Sequence, residues 1–231
     1  MPNQHGNLVT ELRGKPAAIV SKLEGESQLK PTPVHCAEVG LMLAQMHLAG
    51  SDYDLYQENL RGLSWWIQTE HKVSPFLNPS QQHLLKSEIN HQKNVASDSL
   101  YQQLPRGPIH ADLFRNNVMF VENRLTGFFD FYFAGYDTFI FDLAVTCNDW
   151  CVDPITGKPD ALRTNALLDA YQKIRPLSTD EQAAWPSALR AAALRFWLSR
   201  LFDLYLPREA EMLTPHDPFH FEQILRERRN S

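Results

Sequence analysis

His110-Ala111-Asp112-Leu113-Phe114-Arg115-Asn116-Asn117 follows the pattern His-x-Asp-x-x-x-x-Asn, and Asp130 stands thirteen residues beyond Asn117. On a loop, Asp112 can accept or orient the proton of a substrate hydroxyl. Asn117 opens one apolar run and Asp130 closes the next, so a hairpin built from the two runs brings both side by side. Two hard oxygen donors at adjacent strand ends suit Mg²⁺, which usually shares its shell with nucleotide phosphates. Taken singly, Asp112 caps a turn, Asn117 tolerates a bend and Asp130 starts a loop. That leaves their joint spacing unexplained, so the catalytic reading is preferred. The His110 ring is assigned to holding the loop through hydrogen bonds to backbone, with no proton-transfer role.

The elements that must position these residues are mainly helical. Two strands are expected first, Asn7 to Leu12 and Pro16 to Leu23, around the turn residues Arg13-Gly14-Lys15. Thr32 and Pro33 open a helix to about Leu48, with Val34, Ala37, Leu41, Ala44 and Leu48 as its expected apolar face and Gly50 beyond its end. Further helices are expected over Gly62 to Thr69, from Asn78 to about Leu104, Thr138 to Trp150 and Asp160 to Ile174. Pro105-Arg106-Gly107-Pro108 reads as a stop. Asn117 to Val121 and Leu125 to Phe131 read as the one β-rich stretch of the C-terminal two-thirds. Ser178-Thr-Asp-Glu181 is a capping box opening a long segment to Tyr205, kinked or split near Pro186. A last amphipathic helix runs from about Pro218 to Arg228, ending in a solvated basic run, Arg226 to Arg229.

The chain has 231 residues, 43% hydrophobic and 21% charged, enough for a buried core and unlike a disordered chain. Its net charge is −5, without the basic surplus of a nucleic-acid binder. No apolar run approaches the roughly 18 residues of a membrane span. The first residues have neither a basic start nor an apolar core of a signal peptide. Three cysteines, Cys36, Cys147 and Cys151, read as reduced buried thiols, which together with these absences points to the cytoplasm. Trp65-Trp66, Phe196-Trp197 and Phe202 sit at helical spacing and read as core, and His216 and His220 as surface residues.

The Asp-to-Asn spacing and the later Asp resemble the catalytic loop and metal site of protein kinases. Phe114 stands where the protein-kinase loop usually has Lys. The sequence is therefore more similar to the aminoglycoside phosphotransferase and choline kinase superfamily, whose motif is His-Gly-Asp-x-x-x-x-Asn, with Ala111 in place of Gly. A backbone needing positive φ at Ala111 would be strained. Asp112 to Asn117, Phe129 to Tyr132, Phe141-Asp142-Leu143-Ala144, Asn148-Asp149-Trp150-Cys151 and Leu194 to Leu201 together resemble the homoserine kinases of that superfamily. The similarity runs from about Gly14 to Arg208. Asn116 departs from the Asp usual there.

The resemblance implies an α+β fold: a protein-kinase-like C-terminal lobe over residues 27–231, mainly helical with a catalytic β-hairpin, and a remnant of N-lobe sheet and hinge over residues 1–26. It implies ATP and Mg²⁺ as cofactors and L-homoserine as the acceptor, in threonine biosynthesis. Asp112, Asn117 and Asp130 are then catalytic, with Asn117 and Asp130 on the metal. Val20, Leu23 and Met119 would meet the adenine. Asp149 would pair with the substrate ammonium, and one of Arg195 and Arg200, five residues apart, would hold its carboxylate. His110, Arg115 and Asp142 would support the loop from behind. The Gly-rich loop and the strand Lys with its helix Glu are not found, because Ala17-Ala-Ile-Val-Ser-Lys22 lacks a partner helix. The chain is therefore expected to be a truncated kinase, weakly active alone and prone to self-association through an exposed lobe interface. Two alternatives stand beside it: a kinase of another small alcohol or amine, choline-like or aminoglycoside-like, and a non-catalytic nucleotide-binding fragment.

Overall fold

The computed structural model describes residues 1–207 and 216–230. Two short strands, β1 (Thr10–Leu12) and β2 (Lys15–Ala17), form an exposed antiparallel hairpin. The second strand is therefore shorter than the apolar run Pro16 to Leu23 suggests. Beyond Ala17 the chain has no strand partner, and Val20 is 78% exposed. Sheet pairing resumes only as an isolated bridge, where the N–H groups of Glu26 and Phe120 each donate to the other's carbonyl, at 2.8 and 2.9 Å.

Helix α1 (Pro33–Ala49) starts at Thr32 and ends at Gly50, as the capping residues require. Its buried stripe differs from the expected one. Val34 and Leu48 are 53% and 48% exposed, while His35, Cys36, Val39, Gly40, Leu43, Ala44 and His47 face inward. The two histidines are the reason: His35 Nδ1 is held by Thr32 at the helix start and His47 lies between Tyr171 and Asp142, so polarity does not mark the outer face. At Gly40 the chains come close, since a Cβ there would lie 2.2 Å from the Leu167 carbonyl oxygen.

Helix α2 (Leu63–Val73) follows, then α3 (Pro79–Ser97), opened by a capping box of Asn78 and Gln81. The expected long helix to Leu104 is broken at Asp98, whose carboxylate caps the short α4 (Ser99–Gln102). The stop predicted over Pro105 to Pro108 is instead strand β3 (Arg106–Ile109), antiparallel to β6 (Gly135–Thr138). The hairpin is thus not the sole β element beyond the N-terminus. Prolines are tolerated in this ladder because it has only two strands. Gly107 is required by packing, as a Cβ there would meet the Phe139 ring at 2.5 Å. Between them lies the hairpin β4 (Val118–Val121) and β5 (Arg124–Phe128).

Helix α5 (Phe139–Trp150) is buried along its whole length. Around it pack α6 (Ala161–Ile174), α7 (Thr179–Tyr205) and α8 (Phe219–Arg229). Helix α7 runs as one element through Pro186 rather than splitting there. The capping box at its start is formed, with the Glu181 N–H donating to Ser178 Oγ at 3.1 Å and Ser178 N–H to Glu181 Oε2 at 3.0 Å. The basic run on α8 is not simply solvated. Arg228 is buried and donates to Asn148 Oδ1 at 3.0 Å, while Arg229 reaches Ser87 and Glu88. All three cysteines are buried and unpaired by disulfide. Trp66, Phe196 and Trp197 belong to the core, with Trp65 and Phe202 half-buried against it.

Candidate active site

The loop from His110 to Asn117 is tied to α5 at both ends. Asp142 accepts the N–H of His110 (2.9 Å) and of Ala111 (2.8 Å). Asp149, two turns further along α5, accepts the Arg115 N–H at 2.8 Å. Between them the Trp150 indole donates to the Leu113 carbonyl at 3.0 Å. Three polar groups of one buried helix therefore fix a loop that has little regular structure of its own. Ala111 takes φ 62°, the left-handed value at which an alanine costs roughly 1–2 kcal/mol. The paired bonds to Asp142 hold it there.

Asp142 is fully buried. Burial alone would raise its pKa, but the His47 hydrogen bond, the nearby imidazoles and the loop N–H groups outweigh it, and the net shift is downward. His47 Nε2 lies 3.1 Å from Asp142 Oδ2, and its Nδ1 lies 2.7 Å from the Tyr171 hydroxyl. Arg175 donates to that same hydroxyl at 3.2 Å and pairs with Glu181 at 2.8 Å. The Asp142 carboxylate only accepts, so His47 Nε2–H donates to it; in the neutral ring Nδ1 then accepts the Tyr171 proton, while Arg175 donates to the hydroxyl oxygen. A buried chain of hydrogen bonds thus runs from the α7 capping box to the loop.

The His110 ring bridges the Phe129 carbonyl (3.0 Å) and the Asp112 N–H (3.3 Å), joining the loop to the segment that carries Asp130. The Asn117 amide donates to the Asp112 carbonyl at 2.8 Å, which leaves its Oδ1 available. The Phe129 N–H donates to the Asn117 carbonyl at 3.1 Å. Asp130 is exposed, two residues past β5, and has φ 63°. Its charge acts on Asp112, so the two carboxylates share one field. Asn117 Oδ1 and the Asp130 carboxylate are hard donors that fit Mg²⁺. Among the described residues no cluster of three or more His, Cys, Asp or Glu could hold a metal by itself, so phosphate and water oxygens would complete the shell.

Asp112 opens onto a cleft of about 790 Å³. Burial pushes its pKa up to about 6, against the opposing charges of Arg195 and His110. Arg195 Nη2 stands 3.9 Å from Asp112 Oδ1. This arginine is only 3% exposed, and its Nε and Nη2 have no hydrogen-bond partner. Its guanidinium stacks on Phe196 at 3.7 Å. Burial lowers its pKa to about 10, so it stays charged at neutral pH. Arg200 also lines the cleft and donates to the Asp217 carbonyl at 2.9 Å.

Several expected site residues sit differently. Asp149 lines the cleft, but its carboxylate is filled by Arg115: the backbone N–H and Nε reach Oδ2 at 2.8 and 2.9 Å, and Nη2 reaches Oδ1 at 3.1 Å. Those three bonds take up most of its acceptor capacity. Asn117 and Asp130 do not line the cleft. Val20 is exposed and does not line the cleft. The Leu23 side chain lies over Gly127, and Met119 is half-buried on β4 with its sulfur 4.0 Å from Ser27 Oγ. His216 precedes α8 and lines the cleft, whereas His220 packs edge-on against Phe221. Sequence reasoning missed His47 and Tyr171, whose partners are distant in the chain. It also missed Ser199 and Asp203, although their spacing from Arg195 on α7 would have found them.

Residues 4–177 match the phosphotransferase enzyme family (APH). The homoserine kinase of Janthinobacterium sp. (strain Marseille) is 61% identical over 221 residues, covering 96% of this chain and 69% of the relative. That of Polaromonas naphthalenivorans (strain CJ2) is 56% identical over 223 residues, covering 96% and 71%. Among solved structures, amicoumacin kinase hAmiN in complex with AMP-PNP, Ca²⁺ and Ami superposes with a TM-score of 0.66 at 15% identity, covering 98% of this chain and 69% of that one. A choline/ethanolamine kinase family protein from Mesorhizobium loti gives 0.64 at 18% identity, with 93% and 68% covered. These two share the kinase-like fold with this chain. With its loop, hairpin and cleft so arranged, and with relatives this similar over nearly its whole length, the chain belongs to the phosphotransferase enzyme family.

Proposed function

We propose that this chain carries the chemistry of a homoserine kinase, moving the γ-phosphoryl group of ATP to the hydroxyl of L-homoserine in threonine biosynthesis. The observation that carries the reading is the juxtaposition at the cleft floor: a carboxylate with pKa raised to about 6, 3.9 Å from a buried guanidinium without hydrogen-bond partners at two of its nitrogens. The relatives' identity of 56–61% supports the acceptor. Asp112 takes the hydroxyl proton as the new O–P bond forms and the bond to the departing ADP breaks. Its raised pKa leaves it ionised at neutral pH and still basic enough to accept that proton. Arg195 binds the substrate carboxylate, and its stacking on Phe196 holds the guanidinium in place. Arg200, already engaged by the Asp217 carbonyl, is the lesser candidate. Asn117 and Asp130 would hold Mg²⁺, which neutralises phosphate charge when bound.

Residues 1–26 are read as N-lobe and hinge remnant and residues 27–231 as the catalytic lobe, with the adenine near Leu23 and Met119. Val20, turned to solvent, is set aside. The exposed apolar Ile19 and Val20 are where self-association would begin. Among the described residues no helix is long and apolar enough to cross a membrane. The buried free thiols fit a cytoplasmic protein.

An acceptor panel tests the assignment. Mg·ATP with L-homoserine should release ADP, and choline or an aminoglycoside should not replace it. Turnover with either of those and none with homoserine would move the protein to another acceptor class. Nucleotide binding without transfer to any acceptor would favour the non-catalytic alternative.

A further inference from the structure

The substrate proposed above presents an ammonium beside its carboxylate, and a carboxylate in the cleft is the strongest partner for it. Among the described residues three carboxylates line the cleft: Asp112, Asp149 and Asp203. Asp112 is committed to the hydroxyl. Asp149 already accepts three N–H groups of Arg115. Asp203 is half-buried, and among the described residues its carboxylate accepts no hydrogen bond and joins no ion pair. It also sits in register with the buried arginine. Arg195, Ser199 and Asp203 follow one another on successive turns of α7, at i, i+4 and i+8, and all three line the cleft.

The unfilled guanidinium is the second observation, independent of Asp203. Arg195 lines the cleft, is 3% exposed and lacks hydrogen-bond partners at Nε and Nη2, so a carboxylate entering the cleft would meet a cation whose nearest counter-charge among the described residues is Asp112, at 3.9 Å. Where a carboxylate is bound, the ammonium on the same carbon must lie within a few ångströms of it. Asp203 faces that cleft from the same helix, and its charge is felt at Arg195. We propose that Asp203 holds the ammonium of the amino-acid substrate, so that one wall of α7 recognises both charged groups of an α-amino acid. This rests on the homoserine reading and assigns to Asp203 the role expected of Asp149, whose carboxylate is largely taken up by Arg115.

The test compares two ligands that differ only at the ammonium, L-homoserine and 4-hydroxybutanoate, titrated by NMR into the chain and into Asp203→Asn. The unmodified chain should bind L-homoserine the more tightly. The variant should lose about tenfold or more in affinity for L-homoserine. Its affinity for 4-hydroxybutanoate should change less than about twofold, since that ligand has no group for Asp203 to hold. Equal weakening of both ligands would mean a merely structural effect and overturn the proposal, as would unchanged homoserine affinity. Failure of the unmodified chain to bind L-homoserine would instead overturn the substrate reading, and this inference with it.

Discussion

Asp112 illustrates how a single residue's surroundings set both its chemistry and its cost. Its pKa is raised to about 6 from 3.8, chiefly by burial. Below about pH 4 the carboxyl is protonated in folded and unfolded chains alike. As pH rises toward 6 the unfolded chain ionises first, so the folded state binds the extra proton and stability falls with pH. Above 6 the folded chain carries a buried charge whose full penalty is then present. Asp112→Asn should therefore stabilise the chain at pH 7.5 by about 1–3 kcal/mol and have little effect near pH 4. Thermal melts at the two pH values check this. A lower melting temperature at pH 7.5, or equal gains at both, would contradict it.

At the scale of elements, the loop is only as well placed as α5, and α5 is braced by the chain of hydrogen bonds through His47, Tyr171, Arg175 and Glu181. Tyr171→Phe removes the hydroxyl that both Arg175 and His47 use. It should cost about 1–3 kcal/mol in denaturant unfolding. It should also speed amide exchange at His110 and Ala111, whose N–H groups end on Asp142. Unchanged exchange at those two amides would show that the brace does not reach the loop. Helix beginnings were legible in the sequence because Thr32-Pro33, Asn78-Pro79 and Ser178 to Glu181 carry their signals locally. Strands β3 and β6 were not, because four-residue strands containing Pro108 or Gly135 look like turns until their partner is known. The inward face of α1 was misread for a related reason: His47 meets Asp142 from 95 positions away, and no local pattern reveals that.

Across the whole molecule, the residues proposed to react come from a loop, a hairpin and the turn after it, while α5 braces the loop and α7 carries the residues proposed to recognise the substrate. The spacing of Asp112, Asn117 and Asp130 made the loop and hairpin legible. The pairing of Asp149 with Arg115 was not, since a short sequence segment cannot say which of its charges meet across 34 positions. Among the described residues no lysine is ion-paired to a carboxylate. The most direct measurement is homoserine-dependent ADP release from Mg·ATP between about pH 5 and about pH 8, in the chain and in Asp112→Asn. The rate should rise with pH through about 6, level off, and vanish in the variant. Homoserine-dependent ADP release that persists at the same rate in Asp112→Asn would contradict the assignment of Asp112 as the base.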